Sequence, residues 1–310
     1  ALGGLLYPAL IKELYQEKFS LGLLTSSGSL GLLFFPSLPI IIYGVVAEAS
    51  IPQLFAAGII PGIILVLLLS VYSMFKGGAS GVRTRRFSLR EAARTAGKAK
   101  WELFIPIMLL VGIFGGFVTL GEVASITVAY TLLVETFIHR DIPLRRIPGI
   151  MNESMVLVGG IFIIFGSALA LTTYMIDAEI PYAMLEFIQR HISSKIVFLI
   201  ALNVFLLVVG CIMDIYSALV VVVPLIIPIA MSYDINPVHL GIIFLTNLEI
   251  GYSTPPVGMN LFISCFRFNK PVITLYKASL PFLVILLIGL VVITYVPQLS
   301  LMLVEYFDIR

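Results

Sequence analysis

The chain has 310 residues, 60% of them hydrophobic and 12% charged, with a net charge of +2 and a mean hydropathy of +1.09. Soluble domains are about 45–50% apolar and about 25% charged, so this composition excludes a soluble globular domain and describes a polytopic helical membrane protein. A β-barrel would need alternating polarity in segments of about ten residues, and runs such as 63–71 and 219–229 do not alternate.

In chain order, residues 2–11 form a short apolar piece containing Pro8, followed by a charged turn at 12–18. The chain opens inside this apolar stretch with no charged n-region of a signal peptide, and we expect N-terminal segments to precede it. An apolar run at 21–46 is interrupted by SSGSLGLLFFPSLP at 26–39. Ser50-Ile51-Pro52 starts a short amphipathic segment, with a serine N-cap and a proline in the first turn. Spans are expected at about 58–75, 101–118, 121–138 and 151–176, then an amphipathic stretch at about 179–193. Residues 196–210 and 219–231 flank a polar tip, CIMDIYSA. These arms of about 15 and 13 residues fall short of the roughly 20 a crossing takes, so they read as a re-entrant hairpin. A segment at 239–266 and a last span at about 279–297 complete the chain.

Orientation follows from the Lys/Arg bias of the loops. Residues 76–100 carry eight basic side chains against Glu91, 139–149 carry Arg140, Arg145 and Arg146 against Asp141, and 267–277 carry three basic residues and no acid. All three loops are expected in the cytoplasm, which sends 151–176 outward, brings the hairpin in from outside and runs 239–266 inward. Trp101 reads as an interfacial anchor, and residues 88–100 as a basic amphipathic helix on the inner membrane surface. Four parts are expected: 1–49, the end of a first hairpin and a first broken helix; 50–193, mainly scaffold; 194–266, a second hairpin and broken helix; and 267–310, an inner segment, last helix and tail.

Residues 251–260, GYSTPPVGMN, hold two adjacent prolines and two glycines inside that inward segment. Backbone freed by such a break survives in a membrane only where protein, water or an ion satisfies it, and broken helices are where secondary transporters hold substrate and coupling ions. The pattern has a counterpart. Pro8, a charged turn, Leu21-Gly22-Leu23-Leu24-Thr25 and the Pro36 break match Pro228, a polar turn, Leu240-Gly241-Ile242-Ile243 and the Pro255-Pro256 break, at an offset close to 220 residues. Opposite orientation of the two units implies an inverted-repeat fold.

GCIMDIYSALVVVVPLIIPIA (210–230), DINPVHLGIIFLTNLEIGYSTPPVGMNLF (234–262), SSGSLGLLFFPSLPIIIYG (26–44) and GIFGGFVTLGEVASITVAY (112–130) resemble the large membrane subunit of TRAP transporters, in the same order over nearly the whole chain. The resemblance implies a sodium-coupled importer of organic acids such as C4-dicarboxylates or sialic acids, in the bacterial inner membrane. It also implies a small membrane subunit and a periplasmic substrate-binding protein as partners, and an elevator movement of the two hairpin-and-broken-helix units. Phe35-Pro36 stands where the family has two prolines, and Thr119-Leu120-Gly121-Glu122-Val123 where it has TPTEA. The glycine- and serine-rich tip of the family's first hairpin would lie upstream of residue 1.

Sodium suits oxygen ligands, and an unwound glycine–proline segment offers carbonyls. Gly251, Ser253, Thr254 and Gly258 therefore make a candidate ion cage facing the hairpin tip, held open by Pro255 and Pro256, which lack N–H donors. Asp214 at that tip is a sodium ligand or neighbour, as intramembrane carboxylates are costly and functional, the N-cap of the returning half-helix, or both; Ser217 accompanies it. In the first unit Ser26, Ser27, Gly28, Ser29 and Gly31 take the corresponding part, with Pro36 and Pro39 as breakers; such serines also commonly bond the preceding turn's carbonyl. Asn260 and the half-helix N-termini, with Ser29, Pro36, Ser217, Pro255 and Pro256, are candidate contacts for the carboxylate substrate. Neither break contains an arginine or lysine. Glu122 is expected to order a scaffold turn, Glu249 has no assigned role, and His139, His191 and His239 are expected on the surface near the membrane interfaces rather than as ligands.

The alternative to a binding-protein-dependent importer is a sodium/carboxylate symporter of related fold that works without one. An enzyme is not expected. No second intramembrane aspartate faces Asp214, and there is no H-E-x-x-H and no serine–histidine pair at membrane depth. Cys211 and Cys265 form neither a metal-ligand spacing nor a disulfide framework, and the small net charge gives no ground for a nucleic-acid partner.

Overall fold

The computed structural model describes residues 2–79, 88–178, 186–188, 190–256 and 258–307. Most of the amphipathic stretch expected at 179–193 and part of the first basic loop lie outside them. Among the described residues there is no strand.

The N-terminal helices are α1 (Leu2–Lys12), α2 (Glu17–Ser26), a 3₁₀ turn at Leu30–Leu33 and α3 (Leu38–Val46). The last three are together long and apolar enough to cross a membrane, with a bend of 45° between Leu33 and Leu38. The next helix, α4 (Ile51–Ala79), is continuous over 29 residues and passes through Pro61, so the separate amphipathic segment expected at Ser50 does not exist. Ser50 and Pro52 instead begin the span, and an apolar membrane helix tolerates the internal proline.

Helices α5 (Leu89–Lys98), α6 (Lys100–Phe114) and α7 (Leu120–Leu133) lie in one compact unit, Thr84–Ile163. Ser88 caps α5 by accepting from Glu91 N, and α5 buries nothing within the chain. Lys100 Nζ sits 5.0 Å from the centre of the Trp101 ring. Glu122 does order a turn: its carboxylate accepts from Thr119 N and Thr119 Oγ1, each at 2.8 Å, while Thr119 Oγ1 accepts from Glu122 N. This is a capping box that starts α7. The long α8 (Ile147–Asp177) carries the division between this unit and the other, Ala1–Arg83 with Ile164–Arg310.

The larger unit continues with α9 (Lys195–Ile212), α10 (Ile215–Ser232), α11 (Pro237–Gly251), α12 (Met259–Phe268), α13 (Val272–Tyr295) and α14 (Gln298–Tyr306). The hairpin arms α9 and α10 are each 18 residues, longer than the sequence suggested. Most of the polar tip is helical and only Met213 and Asp214 interrupt it. Each arm is long and apolar enough to cross a membrane, so length no longer argues for a re-entrant path. Among the described residues five helices meet that test, or six with the bent first span. The chain is a multi-pass, all-α membrane protein.

The order helix, break, short helix, long helix occurs twice, as α2–α3–α4 and as α11–α12–α13. Both breaks contain a cis X–Pro bond, Phe35–Pro36 and Pro255–Pro256. Corresponding glycines pack reciprocally. A Cβ on Gly22 in α2 would lie 2.1 Å from Ala278 O in α13, and one on Gly241 in α11 would lie 2.5 Å from the Tyr43 ring and 2.9 Å from Leu54. Apolar surface alone drives little association in lipid, and small residues that admit close approach do. Between them α11 is buried from Val238 to Gly251. One of its faces carries polar groups bonded to its neighbours. Asn247 Nδ2 donates to Asn203 Oδ1 in α9 at 2.7 Å, and Asn203 Nδ2 donates to Thr294 Oγ1 in α13 at 3.2 Å. His239, expected on the surface near a membrane interface, is instead buried and belongs to this face. It is 4% exposed, with its ring nitrogens on Ser300 Oγ and Thr294 O.

Candidate functional site

The second break docks on the hairpin tip through backbone. A Cβ on Gly251 would meet Gly210 C at 2.6 Å and Cys211 N at 3.1 Å. Gly258 N donates to Cys211 O at 3.3 Å, and Tyr252 Oη accepts from Ile215 N. The chain turns at once: Tyr252 N donates to Leu248 O, Ser253 N to Ile250 O and Thr254 N to Gly251 O, and Asn260 N then closes the break onto Tyr252 O at 2.9 Å. Gly258 makes this possible with φ +57, where a side chain is strained. Ser253 is fully buried and its Oγ accepts from Asn260 Nδ2 at 3.4 Å. Thr254 Oγ1 donates back to Ile250 O at 2.8 Å, the plain membrane-helix role of a hydroxyl. Pro255 and Pro256 are exposed, and Tyr276 Oη donates to Pro256 O.

Asp214 takes the capping role. Its carboxylate accepts from Ser217 N at 2.9 Å and from Ser217 Oγ at 2.7 Å, at the N-terminus of α10. The half-buried carboxylate thus lies at the tip on which the second break docks, and Ser217 is bound to it rather than to the break. So Gly251, Ser253, Thr254, Gly258, Asp214 and Ser217 are brought to one region.

The first break is divided. Ser27 and Gly28 line a cleft of about 500 Å³ with Thr25 from α2 and Asn260, Ser264 and Arg267 from α12. Thr25 Oγ1 donates to Ser264 Oγ at 3.0 Å, a buried bond that fixes the two broken helices to each other. Ser29 does not join this cleft: it is buried, and its Oγ donates to Glu249 O at 3.3 Å. These two residues are 220 positions apart, the repeat offset, so corresponding positions of the two units touch. Gly31 is exposed in the 3₁₀ turn with open space where a Cβ would stand, and Pro36 is exposed.

Three contributors were not apparent in the sequence. Arg267 was counted with a cytoplasmic loop, yet it lines the cleft, and its guanidinium lies against Gly4 in α1. Thr25 was read only as part of the repeated stretch and Ser264 carries no motif; only the crossing of α2 and α12 joins them. Beyond the cleft, Lys270 between α12 and α13 pairs with Glu17, a hydrogen bond that pushes the lysine's pKa upward. Among the described residues no group of His, Cys, Asp and Glu is arranged to hold a metal ion. The region offers hydroxyls, amide oxygens and backbone carbonyls, a hard-oxygen set that fits sodium better than a transition metal. The cleft pairs an arginine with an asparagine and hydroxyls, groups that bind a carboxylate.

The family described as the tripartite ATP-independent periplasmic transporter, DctM component, matches residues 1–299. The chain is 34% identical over 302 residues to the C4-dicarboxylate TRAP transporter large permease protein DctM of Pseudomonas aeruginosa, covering 97% of this chain and 71% of that protein. It is 33% identical to the isethionate TRAP transporter permease protein DctMQ of Oleidesulfovibrio alaskensis, covering 97% of this chain and 48% of the other. With the sialic acid TRAP transporter large permease protein SiaM of Vibrio cholerae it shares 31% identity, over 94% of this chain and 69% of that one. A repeated broken helix docked on a hairpin tip, in a chain matched by this family nearly end to end, has one reading: the chain belongs to the DctM family of TRAP transporter large permease subunits.

Proposed function

We propose that this permease imports an organic anion, driven by sodium and delivered by a periplasmic binding protein, across the bacterial inner membrane. The second break and the hairpin tip supply the sodium-binding oxygens, and the cleft at Thr25, Ser27, Gly28, Asn260, Ser264 and Arg267 takes the carboxylate end of the substrate. The observation that carries this reading is the meeting of both broken helices at one place, where buried hydroxyls and carbonyls lie beside an arginine-lined cleft. Relatives named for C4-dicarboxylates, isethionate, sialic acid and ectoine support it, since each of those compounds bears an anionic group. The small membrane subunit is the expected scaffold partner, and the paired hairpin-and-break units are expected to move together as an elevator.

The test is uptake of labelled C4-dicarboxylate by the full-length complex in liposomes, with and without a sodium gradient and with and without the binding protein. Uptake that needs both is expected. Uptake without the binding protein would favour the sodium/carboxylate symporter instead, and uptake indifferent to sodium would refute the coupling. Asp214→Asn and Thr254→Ala proteins that both keep wild-type sodium dependence would overturn the ion-site assignment.

A further inference from the structure

The second break carries a weakness that its sequence builds in. Pro255 and Pro256 supply no backbone N–H, so the middle of the break has no main-chain donor with which to hold itself. Its ends are secured by backbone: Thr254 N donates to Gly251 O, Gly258 N to Cys211 O and Asn260 N to Tyr252 O. At the start, Tyr252 Oη adds a tie to the hairpin tip by accepting from Ile215 N. What reaches the middle is a side chain from the next long helix. Tyr276 Oη, in α13, donates to Pro256 O at 2.7 Å across 20 positions of sequence.

That hydroxyl is placed from outside the break. The half-buried Tyr276 ring packs on a buried cluster made of Leu21 in α2, Leu261 in α12, and Leu275 and Ala278 in α13. Helices of both repeats thus set where the phenol oxygen stands, and its bond in turn sets Pro256 O. The cluster itself is tight, because a Cβ on Gly22 in α2 would lie 2.1 Å from Ala278 O. Holding Pro256 O also restrains its neighbours. Peptide planes are rigid and each proline fixes φ, so little but ψ is free to vary between Thr254 and Pro256. The carbonyls of Thr254 and Pro255 therefore follow the one that Tyr276 holds. A binding site needs its ligands kept within about 0.5 Å of their working positions, by groups that do not themselves touch the ligand.

We propose that Tyr276 is a positioning residue for the second break: its hydroxyl holds the break in the form that binds sodium, without touching the ion. This rests on the sodium coupling proposed above. Without the hydroxyl the middle of the break is free, and sodium must order it on binding. Apparent affinity then falls while the fold stays.

The experiment is equilibrium binding of radioactive sodium, without substrate, to the purified full-length permease complex, with melting in choline measured beside it. Tyr276→Phe keeps the ring in its cluster and removes only the donor. One bound sodium per permease is expected to weaken by about 2- to 12-fold, the range a net hydrogen bond is worth. The number of ions bound at saturation and the melting temperature in choline should match wild type. Tyr7→Phe is the control. It removes a hydroxyl from the same cluster, one that donates to Glu17 rather than to the break, and should leave sodium affinity unchanged. A Tyr276→Phe protein with wild-type sodium affinity overturns the proposal, and so does a loss of affinity that Tyr7→Phe reproduces. Lower melting in choline with unchanged sodium affinity shows a merely structural bond and overturns it too. If wild type itself binds no sodium, the coupling fails and this inference falls with it; if wild type binds sodium, only the role of Tyr276 is at stake.

Discussion

Substituting Gly251 by alanine tests whether the second break works by docking its backbone on the hairpin tip. The new Cβ would stand 2.6 Å from Gly210 C, 2.7 Å from Gly210 Cα and 3.1 Å from Cys211 N, whereas real Cβ atoms essentially never approach below 3.0 Å. All three atoms are backbone, so no rotamer relieves the overlap; the break and the tip must part by several tenths of an ångström. Overpacking of this kind costs about 1–3 kcal/mol, a shift of roughly 5- to 150-fold between docked and undocked arrangements. The Gly258–Cys211 and Tyr252–Ile215 hydrogen bonds would lengthen together, because they bridge the same seam. Melting of the purified complex and initial uptake rates in liposomes are the readouts, with Gly31→Ala as control. A Cβ on Gly31 meets nothing within 4 Å, so that variant should stay within about 0.5 kcal/mol of wild type. If Gly251→Ala melts and transports as wild type does, the seam has no mechanical role and the docking argument is wrong.

Gly4→Ala would put a Cβ 2.0 Å from Arg267 Nη2, and because the obstacle is the far end of a flexible side chain, the arginine should swing away at little cost in melting temperature. The same rise in KM for an anionic substrate as in Arg267→Gln is then expected in uptake assays, and unchanged KM in both would remove Arg267 from the site. Asp214→Ala should lose about 1 kcal/mol with the cap of α10, whereas Asp214→Asn, still a good cap, should melt near wild type. Loss of sodium dependence in the melting-neutral Asn variant would separate an ion role from a capping role. Thr119→Ala removes the oxygen that accepts from Glu122 N and the hydroxyl that donates to its carboxylate, so thermal unfolding should show about 1 kcal/mol of destabilisation with uptake kinetics at permissive temperature preserved.

Much of the architecture was legible because apolar length and the placement of proline and glycine act locally. The two breaks, the polar hairpin tip and the Glu122 turn all announce themselves within a few residues. What was not legible depends on which helices cross. Ser27 and Ser29 looked equivalent, being two residues apart in a serine-rich break, yet one lines the cleft and the other bonds to the Glu249 carbonyl. Arg267 read as a topogenic charge because its sequence neighbours are basic, while its spatial neighbours are Gly4, Asn260 and Ser264. The arms of the hairpin were underestimated because polar residues at the tip were counted as loop, although Asp214 caps and thereby extends the helix after it.

The contacts within the larger unit also constrain how it can move. Gly22 meets Ala278 O, Gly241 meets Tyr43, Gly251 meets Gly210, and a Cβ on Gly58 would lie 2.3 Å from Leu33 O. These are close approaches with backbone on at least one side, distributed over both repeats and both breaks. Opening any one of them in a bilayer would expose polar backbone to lipid, which has nothing to offer in return. Thr25–Ser264 and Ser29–Glu249 add hydrogen bonds between the repeats at the breaks themselves. Separating the two repeats from each other is therefore the costly route, and displacing them together is the cheaper one. On the sodium-coupled reading proposed above, the cleft at Arg267 would travel with the oxygens of both breaks, which would keep anion and cation in one body.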